Sequence, residues 1–235
     1  MGSMKGELAM PISTTKLPEF PGFGIYYDEK QKPFFQSQVI EVMRRIKSVE
    51  VGQDLLRQIK EARPRARTAM ANIHPEARMI DFPDGVNVVI TPARQIQFVQ
   101  TGFKLEKIYG DNGDFTITGV VPSTATAHNR SGCPFHIDGG SAAMAIDPKA
   151  GSNGTGCCSI MYFTNAQIMT RKGESANPVV VLAHELIHCL HHVIGSCADQ
   201  DEELITTGIQ QYADLPITEN AFRKAFGYKL RSEYY

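Results

Sequence analysis

One helical segment near the C-terminal end constrains the fold of this chain more than any other feature. Residues 179–194 have the apolar spacing of a helix, follow Pro178 and end at Gly195, a residue type that often terminates helices. The segment contains His184-Glu185-Leu186-Ile187-His188, which has the HExxH pattern. Residues four apart on an α-helix differ by about 40° in direction, so both imidazoles leave one face and can hold a single zinc ion. Glu185 lies beside them, in position to act as a general base.

A catalytic zinc site also needs a third protein ligand and one open coordination position. The metzincin arrangement would place a third histidine six residues after His188, but that position is Ile194, which excludes this class. The acidic segment 199–203 lies a short loop beyond the helix, and an antiparallel helix can return it to the metal. Acids at a helix N-terminus also have a simpler interpretation, because they complement the helix dipole. We favour Glu203 as the third ligand, and Glu202 stays open as the alternative.

The remaining sequence predicts one α+β domain. Helical spacing over residues 34–62, with an interruption near Gly52, predicts two consecutive helices. Short β-branched or aromatic runs separated by turn residues predict the strands of a small twisted sheet, at residues 86–91, 115–121 and 159–164. Helical patterns return at residues 179–194, 202–212 and 216–226. The order helices, sheet, helices is typical of an α+β fold.

The domain boundaries follow from the N-terminal sequence. Residues 1–4 read Met-Gly-Ser-Met, which we expect to be an expression-vector scar. We expect residues 1–33 to be this scar and an extended segment, and residues 34–235 to be a single domain. The strand at 159–164, just before the zinc helix, is expected to be a sheet edge that either holds an extended substrate by β-augmentation or has no ligand role.

Composition and charge exclude several classes of function. The chain has 235 residues, of which 42% are hydrophobic, and its 24 basic and 25 acidic residues give a formal net charge of -1. This balance offers no broad attraction for nucleic acid or anionic lipid. The longest apolar stretch is far shorter than the roughly 20 residues of a membrane-spanning helix. We therefore expect a soluble protein that binds neither nucleic acid nor a membrane. We also expect a monomer, although the sequence leaves the oligomeric state open.

The cysteines indicate a reducing environment. There are five of them, an odd number, and none has the CxxC spacing of a cysteine zinc cluster. Reduced thiols are therefore the default expectation. One pair, such as Cys133 with Cys157 or Cys158, can still form a disulfide.

Ordered segments in the C-terminal part of the chain resemble known metallopeptidases. The helix with HELIH at 184–188 resembles that of clostridial neurotoxin light chains, and EELITTG at 202–208 is similar to their glutamate segment. The succession of HELIH, EELITTG, PITENAFR at 216–223 and GYKLRSEY at 227–234 resembles the NleD-like family of type III secreted effector metallopeptidases more fully. The resemblance covers residues 180–234 in order, with a weaker match at 52–59.

This resemblance implies a zincin-like, gluzincin-type endopeptidase domain with one zinc ion per chain. It implies that His184, His188 and Glu203 are ligands and that Glu185 is the general base. Glu202 would then orient His184 or His188.

The resemblance also extends to the C-terminal residues. RSEY at 231–234 has the form of the RxxY element of the neurotoxins, which implies that Arg231 and Tyr234 lie near the scissile carbonyl. Together with zinc, they would stabilise the oxyanion that forms during peptide cleavage.

The biological setting rests on the same resemblance. It implies a protein that a bacterium secretes into a eukaryotic host, where it acts in the cytosol. Known relatives cut host mitogen-activated protein kinases, the stress-activated JNK type included, in the activation loop. Two alternatives remain, a catalytically silent zinc-binding interaction module and a zinc hydrolase with a different peptide or amide substrate. The intact Glu185 disfavours the silent module, since a metal-binding scaffold needs only the histidines.

Several residues near the motif have simpler interpretations. His191 lies a turn too far along the helix to reach the same metal, so we expect it to orient a ligand or to pack. We expect His192 to face solvent. Glu219, Asn220 and Arg223 resemble a structural network at a helix N-terminus.

Overall fold

The computed structural model describes residues 13–30, 32–71, 73, 77–93, 95–101, 104–109, 135–138, 141–164, 168–169, 175–198 and 200–233. It is a mixed α/β structure with a small sheet, as the sequence predicts. The strands are β1 (Thr15–Lys16), β2 (Phe23–Ile25), β3 (Val88–Pro92), β4 (Gln95–Thr101), β5 (Lys104–Tyr109), β6 (Phe135–Asp138), β7 (Ala142–Ala145), β8 (Ser159–Phe163), β9 (Ile168–Met169) and β10 (Ser175–Ala176). The α-helices are α1 (Phe35–Lys47), α2 (Glu50–Glu61), α3 (Pro148–Ser152), α4 (Pro178–Ile194), α5 (Glu202–Thr207) and α6 (Glu219–Ala225).

Five strands form the main sheet, in the order β1-β2-β3-β8-β7. The strands β2, β3 and β8 run parallel, whereas β1 and β7 pair antiparallel with their neighbours. A second sheet has the order β5-β4-β6, and β9 pairs with β10. The predicted strand at 86–91 corresponds to β3, and the one predicted at 115–121 lies outside the described residues.

The expectation that strand 159–164 forms a sheet edge is wrong. β8 pairs with β3 on one side and with β7 on the other, and all five of its residues are buried. Its continuous apolar run is therefore typical of a central strand that is covered on both faces. Within the described residues, the edge of this sheet on the side of β8 is β7.

The N-terminal part of the chain contributes two strands of the main sheet and two helices. The predicted helical pair is confirmed as α1 and α2, which meet at residues 48–49. Gly52 lies inside α2 and not at the break between the helices. A Cβ atom at position 52 would lie 1.8 Å from the main-chain oxygen of Ile46, so only glycine fits there. The strands β1 and β2 belong to the main sheet, so the sheet includes residues that precede the expected domain start at 34.

Helix α4 is the central element of the core. Its first N–H groups are capped by Asn177, whose side chain accepts a hydrogen bond from the main chain of Val179 at 2.9 Å. Its apolar side chains join those of α1, α2, β3 and β8 in one buried cluster. The helix ends at Gly195, which has a φ of 77°. Burial on several sides fixes the orientation of α4, and with it the direction of every polar side chain that the helix carries.

The described residues bear on two expectations, the absence of a membrane-spanning helix and the state of the cysteines. None of the helices in that part is long and apolar enough to span a membrane. Cys157, Cys158 and Cys189 are buried and have free thiols. Cys133, the possible disulfide partner, lies outside the described residues.

We expect Gly195→Ala to destabilise the protein more than Gly85→Ala. Both glycines have positive φ, 77° and 80°, but a Cβ at Gly195 would lie 2.7 Å from the main-chain nitrogen of Gly156, whereas Gly85 has open space. Gly85→Ala should cost about 1 kcal/mol from backbone strain, and Gly195→Ala roughly 2–3 kcal/mol because a clash is added. Urea unfolding measures both losses. Equal losses would contradict the close approach at Gly195.

Candidate metal centre

Two histidines and a glutamate converge on one point between α4 and α5. The Nε2 atoms of His184 and His188 lie 3.1 Å apart. In the first turn of α5, Glu203 places Oε2 3.2 Å from Nε2 of His184 and Oε1 3.4 Å from Nε2 of His188. Ligand atoms of a tetrahedral zinc ion are separated by roughly 3.4 Å, given metal–ligand bonds of about 2.0–2.2 Å. The structure thus brings together the three residues that were predicted as ligands, at the spacing of a single metal ion.

Other carboxylates occupy the opposite nitrogens of the two rings. Nδ1 of His184 lies 2.8 Å from Oε2 of Glu219, and Nδ1 of His188 lies 2.8 Å from Oε1 of Glu202. Because an ionised carboxylate only accepts hydrogen bonds, each Nδ1 carries the hydrogen and each Nε2 is left with its lone pair in the neutral ring. Both lone pairs then face the carboxylate of Glu203, an arrangement that requires a cation or protons between them.

The charge of the centre fits a divalent cation. Four carboxylates surround the imidazoles, those of Glu185, Glu202, Glu203 and Glu219. Two guanidinium groups, those of Arg223 and Arg231, contact Glu219. Four negative and two positive charges leave -2 when the histidines are neutral. Oε2 of Glu203 is buried and receives no hydrogen bond within the described residues. Two imidazoles and one carboxylate form a common ligand set of catalytic zinc, so the residues present fit this ion.

In the metal-free protein the same carboxylates favour protonated rings. Burial favours neutral His188, but its hydrogen bonds to Glu202 and Glu203 outweigh burial and raise its pKa to about 9. Burial is likewise outweighed at His184, where Glu203 and Glu219 raise the pKa well above its ordinary value. The two histidines in turn lower the pKa of Glu203, although burial alone would raise it. A metal ion must therefore displace protons from this centre.

Glu202 connects two histidines of α4. Its Oε1 accepts from Nδ1 of His188 and from Nδ1 of His191, at 2.8 and 2.6 Å, and its Oε2 accepts from the main chain of Ala198 at 2.9 Å. The structure thus places Glu202 against His188, one of the two rings that it was expected to orient. His191 shares that carboxylate, in agreement with its predicted supporting position.

The expectation for His192 is wrong. This side chain is 8% exposed, and its Nδ1 lies 2.9 Å from the hydroxyl of the fully buried Ser159 on β8. Burial lowers the pKa of His192 to about 3, so the ring is neutral. His192 is buried because it lies on the side of α4 that faces the sheet. An ordinary amphipathic surface helix would leave this position exposed, but α4 is covered on more faces.

Glu219 is the residue of the centre that sequence reasoning missed. Its side chain is almost fully buried and contacts Nδ1 of His184, Nε of Arg223 at 2.5 Å and Nη1 of Arg231 at 3.0 Å. The predicted network at the start of α6 exists, but it also holds a ring that faces the metal position. Glu219 and Arg223 are four residues apart, the spacing of an ordinary surface ion pair on a helix. That spacing gives no indication that Glu219 also contacts His184.

Glu185 lies near His184 and His188 and near the edge strand of the main sheet. Burial raises the pKa of its carboxyl group and the charge of Glu203 adds to this, while His184, His188 and the main chain of Ala143 act in the opposite direction. Ala143 belongs to the edge strand β7. The predicted base therefore lies near both the two histidines and that edge.

The C-terminal residues of the prediction are placed only in part. Arg231 lies beside the start of α6, where its guanidinium donates to Glu219 at 3.0 Å. Its role near a scissile carbonyl remains a prediction. Tyr234 lies outside the described residues.

Comparison with known proteins gives distant structural neighbours. No protein family and no curated protein matches the chain. The catalytic domain of Clostridium botulinum neurotoxin serotype F is similar with a TM-score of 0.44 and 18% identity, covering 85% of this chain and 48% of that one. The botulinum neurotoxin serotype HA light chain is similar with a TM-score of 0.40 and 11% identity, covering 92% of this chain and 62% of that one.

The chain thus spans about half to three fifths of the length of these two neurotoxin proteins. Because both TM-scores are below 0.5, the chemistry of the site rests on its own geometry.

Replacing single carboxylates by amides should separate the ligand from the orienting residues. We expect Glu203→Gln to reduce zinc affinity most, because it removes a ligand. Glu202→Gln and Glu219→Gln remove the negative charge beside a ligating histidine and should each reduce it by about 10–100-fold, the usual effect of mutating such a partner. Competition with a chromophoric chelator measures the affinity, and Glu61→Gln, an exposed carboxylate of α2, is the control. Equal losses for Glu202→Gln and Glu203→Gln would contradict Glu203 as the ligand.

Zinc affinity should rise with pH between about pH 6 and 8. His188 has a pKa of about 9 without metal, so it is protonated throughout this range and must lose that proton to bind zinc. Raising the pH removes the competing proton, and affinity should increase by up to about tenfold per pH unit for each proton displaced. Calorimetry in buffers with different ionisation enthalpies counts the released protons. A binding enthalpy that is independent of the buffer would contradict the expectation.

Proposed function

We propose that this chain is a zinc-dependent endopeptidase in which His184, His188 and Glu203 hold one zinc ion. The observation that carries the proposal is the convergence of these three side chains beside the buried carboxylate of Glu185. Structural zinc sites close all four positions with protein ligands, whereas catalytic sites use three. Within the described residues, three side chains converge at this centre. The ligand count and the adjacent base both favour catalysis.

Each group then has a definite task. Bound zinc supplies a Lewis acid that polarises the scissile carbonyl and lowers the pKa of water toward about 7. Glu185 accepts the proton of the attacking water on a carboxylate oxygen and delivers it to the leaving amine. Burial raises the pKa of Glu185, which makes its carboxylate a stronger base for the first of these transfers. Arg231 would stabilise the negative charge that develops on the carbonyl oxygen.

The edge strand β7 offers a way to align a peptide substrate. An extended segment can add to an exposed sheet edge through main-chain hydrogen bonds. Since the main chain of Ala143 in β7 lies close enough to Glu185 to lower its pKa, a peptide along this edge would pass close to the base. This assignment replaces β8, which is central in the sheet. An extended, locally unfolded stretch of a protein would fit such an edge better than a folded surface.

We extend the proposal to a bacterial effector that cleaves host signalling proteins in the host cytosol. The candidate substrates are mitogen-activated protein kinases, JNK among them, cut in the activation loop. The support is the resemblance to the NleD-like family over residues 180–234, a stretch that includes α4, α5 and α6. On this proposal the enzyme acts as a monomer on a protein substrate, without a nucleic-acid or membrane partner.

Glu185→Gln should abolish cleavage while retaining zinc. The variant keeps the size of the side chain but removes the base, and loss of general-base catalysis typically costs about 10²–10⁴-fold in rate. Purified parent and variant are incubated with phosphorylated and unphosphorylated kinases, and zinc is quantified in the same samples. We expect about one zinc ion per chain in both proteins and cleavage by the parent alone.

The other outcomes are informative as well. Zinc in the parent without cleavage of any kinase would contradict the kinase proposal and direct the search to other peptides, with an unselective peptide library as the next substrate. Cleavage at equal rates by parent and Glu185→Gln would contradict the assigned base. A parent with no affinity for zinc would contradict the metal centre itself.

A further inference from the structure

Asn220 joins the C-terminal segment to the helices that carry the site. Its Oδ1 accepts a hydrogen bond from the main-chain nitrogen of Arg231 at 2.8 Å, and its Nδ2 donates to the main-chain oxygen of Arg231, also at 2.8 Å. The same Nδ2 donates to the main-chain oxygen of Gly208 at 3.1 Å. A single side-chain amide therefore pairs with both polar main-chain groups of one residue, as a neighbouring β-strand would.

The contact with Gly208 adds the end of α5 to this junction. Gly208 follows α5 with a φ of 73°, and a Cβ atom there would lie 2.5 Å from the side chain of Thr218, which caps α6. The end of α5 and the start of α6 are therefore in close contact. Asn220 bridges them and binds the segment that follows α6, so three parts of the chain depend on one side chain.

Consecutive residues of α6 hold the two ends of Arg231. Glu219 accepts from its guanidinium at 3.0 Å, and Asn220 fixes its main chain. The intervening segment has further links, from the main-chain nitrogen of Tyr228 to the oxygen of Arg223 at 2.7 Å and from Nδ2 of Asn177 to the hydroxyl of Tyr228 at 2.6 Å. Residues 228–231 have no regular secondary structure, so such links determine their path.

We propose that Asn220 is a positioning residue that keeps Arg231 in place against Glu219, and through Glu219 beside His184. The inference rests on the proposed function for its catalytic consequence, but not for its structural part. A carboxamide is required because the junction needs one acceptor and two donated hydrogen bonds. Aspartate would keep the acceptor for the nitrogen of Arg231 and lose both donors.

The test compares Asn220→Ala and Asn220→Asp with Asn153→Ala in the zinc-loaded protein. Asn153 is a solvent-exposed asparagine beyond the end of α3, and its side chain accepts from the main chain of Thr155. The first measurement is the rate at which trypsin cuts after Lys229 and Arg231, followed by mass spectrometry. We expect both Asn220 variants to be cut about tenfold faster than the parent and the Asn153 variant, because the segment opens more often. Asn220→Asp guards against a general folding defect, since it retains the size of the side chain.

The second measurement is peptide cleavage. We expect kcat of the Asn220 variants to fall about tenfold, with KM and zinc content close to those of the parent. The effect should largely disappear in an Arg231→Ala background, because Asn220 acts through that residue. A residue that only stabilises the fold would instead multiply its effect with that of Arg231→Ala.

The outcomes separate this inference from the proposed function. Trypsin cleavage at the parental rate in both Asn220 variants would overturn the positioning role, whether or not the protein is a peptidase. Multiplicative effects of Asn220→Ala and Arg231→Ala on kcat would overturn it as well. A further outcome is that the parent cuts no peptide while trypsin still cuts both Asn220 variants faster than the parent after Lys229 and Arg231. That result would overturn the proposed function and support the positioning role of Asn220.

Discussion

The pairing of two histidine Nδ1 atoms with carboxylates from two other helices is the constraint on which the rest of the site depends. Glu202 approaches His188 from the start of α5, and Glu219 approaches His184 from the start of α6. Each bond fixes a ring tautomer and, at the same time, fixes one helix against α4. Because the Nδ1 atoms are engaged, the Nε2 lone pairs converge on the carboxylate of Glu203. The packing of three helices and the geometry of the ligand atoms thus have the same cause.

This arrangement is electrostatically incomplete without a cation. Burying several carboxylates costs free energy unless they are paired, and the two arginines compensate only part of their charge. Without a metal, protons on His184 and His188 balance the remaining charge of -2, which is why the pKa values of both rings lie above the ordinary range. A divalent cation would replace those protons. Metal binding and the stability of the α4–α5–α6 arrangement should therefore be coupled.

The helix with its two histidines and the position of Glu203 could be predicted because they depend on local spacing. A separation of four residues on a helix determines direction, and an acidic first turn shortly after the helix can return to it. The edge strand and Glu219 could not be found in this way. Whether β8 is central depends on its pairing with β3, which lies some seventy residues earlier in the chain. Glu219 has the local pattern of a surface ion pair, and only tertiary packing brings it to His184.

The correction from β8 to β7 also changes how a substrate would meet the base. A central strand has both sides occupied by neighbouring strands, so it has no main-chain groups left to bind a peptide. The edge strand β7 has one such side within the described residues, and the main chain of its Ala143 lies close enough to Glu185 to lower the pKa of that carboxyl group. One strand would then determine the position of the base and the path of the peptide together. A shift of β7 along β8 would displace both, so on the proposed function the pairing of Ala142–Ala145 with residues 159–162 of β8 would set the alignment of the reacting groups.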